Sequence, residues 1–264
     1  MRALVTGGTD GIGREIAAGL ANSGVHVWIT GRNVERGKAA AEALGATFLR
    51  AEHSTVAGNL HAAAELREEI PQLDILVNNV GGMAFPARTV TPEGNEMIES
   101  LNYRGPVTLT RALLPALAPT ARVVQIVSSA AFMHRGDPFT EPARYSAIAA
   151  YARAKQLNLL ASLSLTRVLT PGQILNAVNP GTAWTPGVQA LTPATVPAWR
   201  FIWPLTRAIQ RRRTPARAAV APMALADADT TGVYYESNGR AAKLPQRLYD
   251  PALQDRAWEA AARW

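Results

Sequence analysis

The amino-acid sequence predicts a single-domain α/β fold with a doubly wound, mostly parallel sheet of seven strands and helices on both faces. Short apolar runs alternate along the chain with longer segments of helical period. Runs that are apolar throughout are typical of strands buried on both faces, and the alternation favours right-handed βαβ crossovers. No internal repeat or low-complexity linker divides the 264 residues, so one core is expected.

The elements follow one another in regular order. The predicted strands are Ala3–Thr6, Val25–Thr30, Thr47–Arg50, Ile75–Asn78, Val123–Val127, Ile174–Val178 and Gly232–Glu236. The predicted helices are Gly13–Ser23, Val34–Leu44, Ser54–Glu69, Pro92–Leu117, Ser146–Leu169 and Pro215–Ala226. An insertion, Pro186–Arg213, interrupts this order with tryptophans and prolines in no clear period. Its length and its Trp and Phe content favour an ordered functional lid.

The composition excludes several classes of function. The absence of cysteine rules out a disulfide framework, a thiolate nucleophile and a zinc-thiolate site, and the four histidines lack metal-ligand spacing, so no metal site is expected. The net charge of +7 has only one dense run, Arg211–Arg213, which indicates a solvated surface rather than a nucleic-acid partner. The chain starts on a strand and lacks an apolar run of ~18 residues, so we expect a cytoplasmic protein without signal peptide or integral membrane segment.

A glycine-rich turn follows the first strand in "LVTGGTDGIGRE". A strand before it and an amphipathic helix after it are the context in which backbone N–H groups and a helix N-terminus bind a pyrophosphate. The expected cofactor contacts in this turn are Gly7, Thr9, Asp10, Gly11, Ile12 and Gly13.

The spacing T-G-x-x-x-G-x-G from Thr6 to Gly13 resembles the glycine turn of the short-chain dehydrogenase/reductase (SDR) family. Later motifs extend the resemblance over nearly the whole chain. The resemblance implies a Rossmann-type fold, with residues 1–120 mainly binding the cofactor and residues 121–264 supplying the catalytic and substrate half. The lid, at about residues 186–213, falls where the family has its substrate loop.

The end of the second strand predicts which nicotinamide cofactor is preferred. "WITGRN" has no Asp or Glu to accept hydrogen bonds from the adenosine ribose, and instead places Arg32 before Asn33. A guanidinium fork suits a 2′-phosphate, with Arg14 as a second cation, so NADP(H) is favoured and NAD(H) stays open. The alternative is that Arg32 is an ordinary exposed residue at a helix start.

Two further segments resemble the adenosine side of the family's cofactor site. "LVNNVGG" is similar to the family's Asn-Asn-Ala-Gly stretch, which implies cofactor contacts from Asn79, Val80 and Gly81. Glu52 and His53 stand where the family has an Asp followed by an apolar residue. The resemblance implies an adenine contact for this pair, although the residue types depart from the pattern.

Tyr151 and Lys155 in "AAYARAK" lie four positions apart, so they share one face of a helix. A nearby ammonium favours the phenolate and lowers a tyrosine pKa from about 10 toward the operating pH. Only Lys38, Lys155 and Lys243 are lysines in this arginine-rich chain. A compact charge on a flexible stem, which also reaches ribose hydroxyls, explains why lysine is kept here.

The resemblance completes a catalytic set of Ser129, Tyr151, Lys155 and Asn102. A serine after the fifth strand binds the substrate oxygen in the family; we select Ser129, with Ser128 as the alternative. Asn102 matches the helix asparagine that holds a water linking the lysine to solvent. Tyr145 is the rival tyrosine, but it lacks a lysine four residues on.

The spacing from Ser129 to Tyr151 resembles the retinol dehydrogenase-like and protochlorophyllide reductase-like branch of the family. "NPGTAWT" matches the segment after the sixth strand that meets the nicotinamide and the phosphates. The resemblance implies cofactor contacts from Pro180, Gly181, Thr182 and Thr185, besides Tyr151 and Lys155.

Together these features predict an NADP(H)-dependent oxidoreductase that interconverts an alcohol with an aldehyde or ketone on a small hydrophobic substrate. One alternative is a nucleotide-binding regulator that keeps the fold without the chemistry. Another is a membrane-surface protein acting on lipid-like substrates, with "WRFIWPLTRAIQRRR" as a basic amphipathic anchor. The resemblance leaves a homodimer and a homotetramer both open.

Overall fold

The computed structural model describes residues 1–193, residue 195 and residues 203–261. Within these residues, eight strands form one sheet in the order β3-β2-β1-β4-β5-β6-β7-β8. The strands from β3 to β7 pair in parallel, and β8 pairs antiparallel with β7. The reversal of strand order between β1 and β4 is the point at which doubly wound sheets bind ligands.

The bounds of the elements are as follows. The strands are β1 (Arg2–Val5), β2 (His26–Gly31), β3 (Thr47–Arg50), β4 (Leu73–Asn78), β5 (Leu117–Ile126), β6 (Ile174–Val178), β7 (Tyr234–Tyr235) and β8 (Ala241–Ala242). The helices are α1 (Gly11–Asn22), α2 (Val34–Leu44), α3 (Val56–Glu69), α4 (Met97–Glu99), α5 (Gly105–Leu113), α6 (Ala147–Leu165), α7 (Pro186–Gln189), α8 (Trp203–Arg211), α9 (Pro215–Ala224) and α10 (Pro251–Ala260).

The period of two along each strand divides the core into two layers. In β1, Ala3 and Val5 face the cluster that packs with α1, α2 and α9, whereas Leu4 faces the cluster that packs with α3 and α5. Helix α6 lies on this second side, where α10 also packs against it. Most residues of α6 are therefore buried, and the sheet is covered on both faces as predicted.

The helix predicted over Pro92–Leu117 is divided in the structure. The Glu96 carboxylate caps its start by accepting hydrogen bonds from the backbone N–H groups of Ile98 (2.9 Å) and Glu99 (2.8 Å). A π-helical turn, Ser100–Arg104, then separates α4 from α5. The chain is already in strand β5 at Leu117, so the predicted strand Val123–Val127 begins too late. Helical period alone did not mark these boundaries.

Outside the predicted insertion, the strand β8 and the helix α10 were absent from the sequence prediction. Strand β8 has only two residues, which is too short for a periodic signal. Helix α10 is anchored to α5 by Arg111, whose guanidinium donates to the Trp258 carbonyl at 2.5 Å and lies 4.0 Å from the Trp258 ring centroid. The predicted insertion contains α7 and α8, whereas Trp199 and the rest of residues 196–202 lie outside the described residues.

A buried ion pair connects the π-helical turn to α6. The Arg153 guanidinium donates to the Glu99 carboxylate at 2.6 Å, and Arg104 donates to the other oxygen of Glu99 at 2.8 Å. A planar fork is suited to such a shared carboxylate. This pairing holds the turn that carries Asn102 against the helix that carries Tyr151 and Lys155.

Candidate active site

The turn between β1 and α1 requires glycine at several positions. Gly7 and Gly11 adopt the left-handed conformation, with φ of 65° and 56°. A Cβ on Gly13 would lie 2.4 Å from the Gly7 carbonyl oxygen and from the Asn79 amide nitrogen, so a side chain does not fit there. Asp10 is the N-cap residue of α1 but makes no side-chain capping bond, and the first N–H groups of the helix point toward this turn.

Thr6 joins the glycine turn to the segment after β4. Its Oγ1 accepts hydrogen bonds from the backbone N–H groups of Asn79 (2.9 Å) and Val80 (3.1 Å) and donates to the Val77 carbonyl (3.3 Å). The Asn79 amide donates to the Thr6 carbonyl at 2.8 Å. Asn79 and Val80, both predicted to contact the cofactor, are thereby fixed beside the turn.

The same segment reaches the predicted catalytic residues two positions further on. A Cβ on Gly81 would lie 2.7 Å from Asn102 Oδ1 and 3.1 Å from Lys155 Nζ. The Gly82 N–H donates to Asn102 Oδ1 at 3.1 Å, and Asn102 Nδ2 donates to the Gly82 carbonyl at 2.8 Å. Residues 79–82 thus connect the glycine turn with Asn102 and Lys155.

Asn102 is fully buried inside the π-helical turn Ser100–Arg104. Its Nδ2 also donates to the Ile98 carbonyl at 2.8 Å, and its own carbonyl accepts from Asn158 Nδ2 at 2.6 Å. Turns of this kind within α-helices occur frequently at functional sites. The amide of Asn102 is therefore oriented by the backbone on both sides, facing the loop beside Lys155.

Tyr151 and Lys155 lie on one face of α6, with Lys155 Nζ 5.9 Å from the centroid of the Tyr151 ring. Lys155 is buried and donates to the Ile126 carbonyl at the end of β5, at 2.9 Å. Burial lowers the pKa of Lys155 to about 8. Burial raises the pKa of Tyr151 above its usual value, and the Ser128 hydroxyl opposes this rise. Tyr151 is therefore protonated at neutral pH in the free protein.

The two serines after β5 differ in where they lie. Ser128 is half-buried, near enough to Tyr151 to affect its pKa, and its hydroxyl accepts a hydrogen bond from the Ala130 N–H at 3.2 Å. Ser129 begins the following short 3₁₀ helix and is exposed. The structure therefore brings Ser128 rather than Ser129 to the phenol. The sequence register did not distinguish two adjacent serines at a strand end.

The hydroxyl of Tyr145, the alternative to Tyr151, is engaged in a hydrogen bond to the backbone. It donates to the Phe85 carbonyl at 3.0 Å. Burial raises the pKa of Tyr145 to about 12, and the charge of Glu96 adds to the rise. No lysine follows it at one helical turn.

The predicted 2′-phosphate residues border the glycine turn. Arg32 is exposed and follows Gly31, whose added Cβ would lie 2.6 Å from Thr9 Cγ2, so the end of β2 packs directly on the turn. Arg36, which the sequence motifs did not indicate, pairs with Asp10 at 3.3 Å. Arg36 could have been identified from the sequence, because it lies one helical turn after Arg32.

Three other predicted residues lie around this edge of the sheet. Asn33 caps α2 by accepting a hydrogen bond from the Arg36 N–H at 2.8 Å. Glu52 accepts hydrogen bonds from the N–H (3.1 Å) and hydroxyl (2.6 Å) of Ser54. His53 is buried, with Nε2 2.6 Å from Thr30 Oγ1.

The segment after β6 returns to the same turn. Gly181 adopts a φ of 76°, and its N–H donates to Asn179 Oδ1 at 3.1 Å. A Cβ on Gly11 would lie 3.0 Å from Thr185 Cγ2, which places Thr185 beside the turn. The Thr185 hydroxyl also caps α7 by accepting from Val188 N–H at 3.3 Å. Thr182 binds the guanidinium of Arg213. Pro180 lies between Asn179 and Gly181 in this segment.

Neither a metal nor a membrane span is indicated in the described part of the chain. No group of three or more His, Cys, Asp or Glu residues is arranged there to hold a metal ion. Among the same residues, no helix has both the length and the apolar character needed to cross a membrane.

The sequence model of the family described as "short chain dehydrogenase" matches residues 1–194. The chain belongs to this family. As a short-chain dehydrogenase, it carries the glycine turn, the paired asparagines and the Tyr-x-x-x-Lys helix within the matched residues.

Similar proteins agree with this assignment. A "Probable oxidoreductase" of Streptomyces lividans is 33% identical, over 99% of this chain and 96% of its own length. "Retinol dehydrogenase 13" of Homo sapiens is 30% identical, over 98% of this chain and 83% of its own length. The chain is thus a dehydrogenase/reductase of the retinol dehydrogenase-like branch. A solved structure of an actinorhodin polyketide ketoreductase variant with NADPH has the same fold, with a TM-score of 0.68, 24% identity and coverage of 89% of this chain and 94% of its own.

Proposed function

We propose that this short-chain dehydrogenase interconverts an alcohol with an aldehyde or ketone, using NADP(H) and the side chains of Tyr151, Lys155, Ser128 and Asn102. One observation carries the proposal: residues 79–82 join the glycine turn at one end to Asn102 and Lys155 at the other. A nicotinamide dinucleotide needs both, since its pyrophosphate binds at such a turn and its nicotinamide must meet the reacting side chains.

The residues present fit this cofactor. The turn through Gly7 and Gly11, which has no side chains at these two positions, and the N–H groups of the first turn of α1 would hold the pyrophosphate. Arg32 and Arg36 would flank the adenosine end, and Asn79 and Val80 would lie against the cofactor beside the glycine turn. Thr185, next to Gly11, would bind the phosphates, and Thr182 would meet the nicotinamide. When bound, the nicotinamide carries the hydride, and the protein manages the proton.

The side chains supply the rest of the reaction. In the reducing direction, the Tyr151 phenol, protonated at neutral pH, donates its proton to the carbonyl oxygen of the substrate. The Ser128 hydroxyl donates a hydrogen bond to the same oxygen and so stabilises the developing alkoxide. Lys155 stabilises the phenolate that remains, and Asn102, beside Lys155, supports its reprotonation from solvent. Oxidation runs through the same groups in reverse.

The direct test follows NADPH oxidation, by loss of the reduced-nicotinamide absorbance, across a panel of aldehydes and ketones of increasing chain length. Turnover of apolar carbonyl compounds supports the proposal. A protein that binds NADPH but oxidises it with no member of the panel would instead favour a regulatory nucleotide-binding role.

Apolar side chains around the site favour a hydrophobic substrate. Met83 and Phe85 follow the cofactor loop, and Phe132 follows the serines; all three are partly buried against the core that contains α6. Because these three side chains are apolar, we expect a longer apolar chain on the substrate to improve the specificity constant. The lid at about residues 186–213 stays a prediction.

The two serines provide a matched pair of substitutions. Ser128→Ala is expected to lower turnover about a hundredfold, because it removes a donor to the developing oxyanion. Ser129→Ala, one residue away and exposed, is expected to leave turnover within about twofold. Steady-state rates at saturating NADPH decide between them, with cofactor affinity as the control for local distortion. The opposite ranking would return the role to Ser129.

Arg32→Asp tests the cofactor preference. We expect it to weaken NADPH binding far more than NADH binding, because it removes a phosphate partner and adds repulsion. Fluorescence titration with both cofactors gives the ratio. Arg67→Asp, an equal change of charge at an exposed position of α3, is the control and should affect the binding of neither cofactor. An equal loss for both cofactors in Arg32→Asp would contradict a 2′-phosphate contact.

A membrane-surface location is a second candidate, favoured by helix α8. Leu205 and Ile209 are 61% and 48% exposed and lie one turn apart on this helix, which also carries Arg207 and Arg211. Exposed apolar side chains next to cations are typical of helices that bind anionic membrane surfaces. Sedimentation with anionic vesicles tests this, and loss of binding in Ile209→Glu would support it.

A further inference from the structure

His53 is a buried histidine next to the glycine turn. It follows β3 in a position where the family carries an apolar residue, and only 4% of it is exposed. Its Nε2 lies 2.6 Å from Thr30 Oγ1, and its Nδ1 lies 2.7 Å from Asn59 Oδ1. Both ring nitrogens are therefore engaged by uncharged partners.

The direction of each hydrogen bond follows from Asn59. Its Nδ2 donates to the carbonyls of His53 (3.1 Å) and Thr55 (2.6 Å), so its Oδ1 faces the ring and accepts. Nδ1 of His53 then carries the proton and Nε2 accepts, which assigns the neutral Nδ1–H tautomer. Thr30 must donate its hydroxyl proton to Nε2.

The chain of hydrogen bonds ends at the glycine turn. Thr30 Oγ1, which donates to His53, accepts the N–H of Gly7 at 3.2 Å. Gly7 is the first glycine of this turn and has the left-handed φ of 65°. The turn is thus held from two sides, by Thr6 through Asn79 and Val80 and by Thr30 through His53.

Protonation of His53 would reverse its hydrogen bond with Thr30. An imidazolium would donate to Thr30 Oγ1, which also accepts from Gly7, so the Thr30 hydroxyl hydrogen would lose its acceptor and its fixed orientation. The groups that face His53 are Thr30 from β2, Asn59 from α3 and Glu52 beside it, of which only Glu52 is charged. Burial lowers the pKa of His53, and it outweighs the hydrogen bond to Asn59 and the charge of Glu52, which raise that pKa.

We propose that neutral His53 is a positioning residue for the cofactor: it orients the Thr30 hydroxyl, which fixes the Gly7 N–H and so the turn that receives the pyrophosphate. The proposal rests on the proposed nicotinamide cofactor. It assigns His53 no contact with the reacting atoms, so cofactor affinity should depend on it while turnover at saturating cofactor does not.

The test compares variants along this chain of hydrogen bonds. His53→Leu and Thr30→Val are each expected to raise the NADPH dissociation constant about tenfold, the worth of one buried hydrogen bond. The double variant should be no worse than Thr30→Val alone, because both changes interrupt the same chain. The matched control is His26→Leu, since His26 also bonds a threonine, Thr47, at 3.1 Å but at an exposed site. It should leave the dissociation constant unchanged.

The pH dependence separates positioning from packing. His53→Gln offers one donor and one acceptor, so it should keep near wild-type affinity at neutral pH. As the pH falls through the lowered pKa of His53, the wild type should lose affinity, whereas His53→Gln should lose only what titration of the cofactor phosphate causes in both. Parallel pH profiles for the wild type and His53→Gln, or additive losses in the double variant, would overturn the proposal.

An NMR measurement keeps this proposal distinguishable from the proposed function. The ¹⁵N signals of the His53 ring in the free protein should show the neutral Nδ1–H tautomer at neutral pH. A charged ring at that pH, or an Nε2–H tautomer, would also overturn the proposal. If the wild type binds no nicotinamide nucleotide at all, the proposed function fails, and the ring signals still report whether the hydrogen-bond chain exists.

Discussion

Replacing Tyr151 by Phe is expected to lower turnover about a hundredfold to ten-thousandfold, the range that a general acid contributes. Phe keeps the ring, so packing on α6 and the affinity for NADPH should change little. Steady-state rates with a turned-over carbonyl compound, together with a cofactor titration, give the two quantities separately. A loss in turnover without a loss in binding assigns the phenol to the chemistry.

The pH profile of the wild type provides a second measurement on the same residue. Burial raises the pKa of Tyr151 in the free protein, and protonated phenol is the form that carbonyl reduction requires. Reduction should therefore be flat through neutral pH and fall only in the alkaline range. Alcohol oxidation needs the phenolate and should rise with pH over that range.

Tyr145→Phe is the matched control for this substitution. It also removes one phenolic hydroxyl, but that hydroxyl bonds the Phe85 carbonyl. We expect turnover to stay within about threefold of wild type, as for a change outside the reacting groups. A Tyr151→Phe enzyme with near-normal turnover would falsify the assignment, and a large loss in Tyr145→Phe would transfer it to Tyr145.

The parallel sheet was predictable because its strands carry their signal locally. Val25–Thr30 and Ile174–Val178 are apolar runs bounded by polar or glycine-containing segments, and each appears within one or two residues of its predicted bounds. The bounds of the helix predicted over Pro92–Leu117 could not be predicted in this way. Its start is set by the Glu96 cap, and its π-helical turn is set by tertiary packing. Strand β8, with two residues, depends on pairing with β7 and has no local signal.

The candidate site shows the same division between local and long-range information. The i, i+4 spacing of Tyr151 and Lys155 fixes a shared helical face, and the structure places them on it. The choice between Ser128 and Ser129 depends on how β5 meets the turn that follows it, which no spacing encodes. The contact between Thr30 and His53 joins residues 23 positions apart and required the sheet. The sequence showed that a histidine is unusual at position 53, but it did not show that Thr30 is its hydrogen-bond partner.

Replacing Lys155 is expected to have the second large effect. Lys155→Met removes the ammonium that stabilises the phenolate, so turnover should fall about a hundredfold or more. The residual rate of alcohol oxidation should need a higher pH than in the wild type, because no nearby positive charge then favours the phenolate. Lys155→Arg keeps the charge but should lose much of the activity. Nζ is buried beside Gly81 and donates to the Ile126 carbonyl, and a bulkier, planar guanidinium cannot take the same position.

The decisive measurement is the pH profile of turnover for the wild type and both variants, with thermal unfolding as the control. Burial holds the Lys155 pKa at about 8, below its unfolded value. The folded protein therefore carries the ammonium at a cost in stability at neutral pH, and this cost decreases as the pH rises from about 8 toward the unfolded pKa. Met removes that cost, and the variant should unfold no earlier than the wild type at pH 7. Lost activity in a stable variant then reflects chemistry. If Lys155→Met kept both the rate and the pH profile of the wild type, the charge of Lys155 would have no part in the proton transfer.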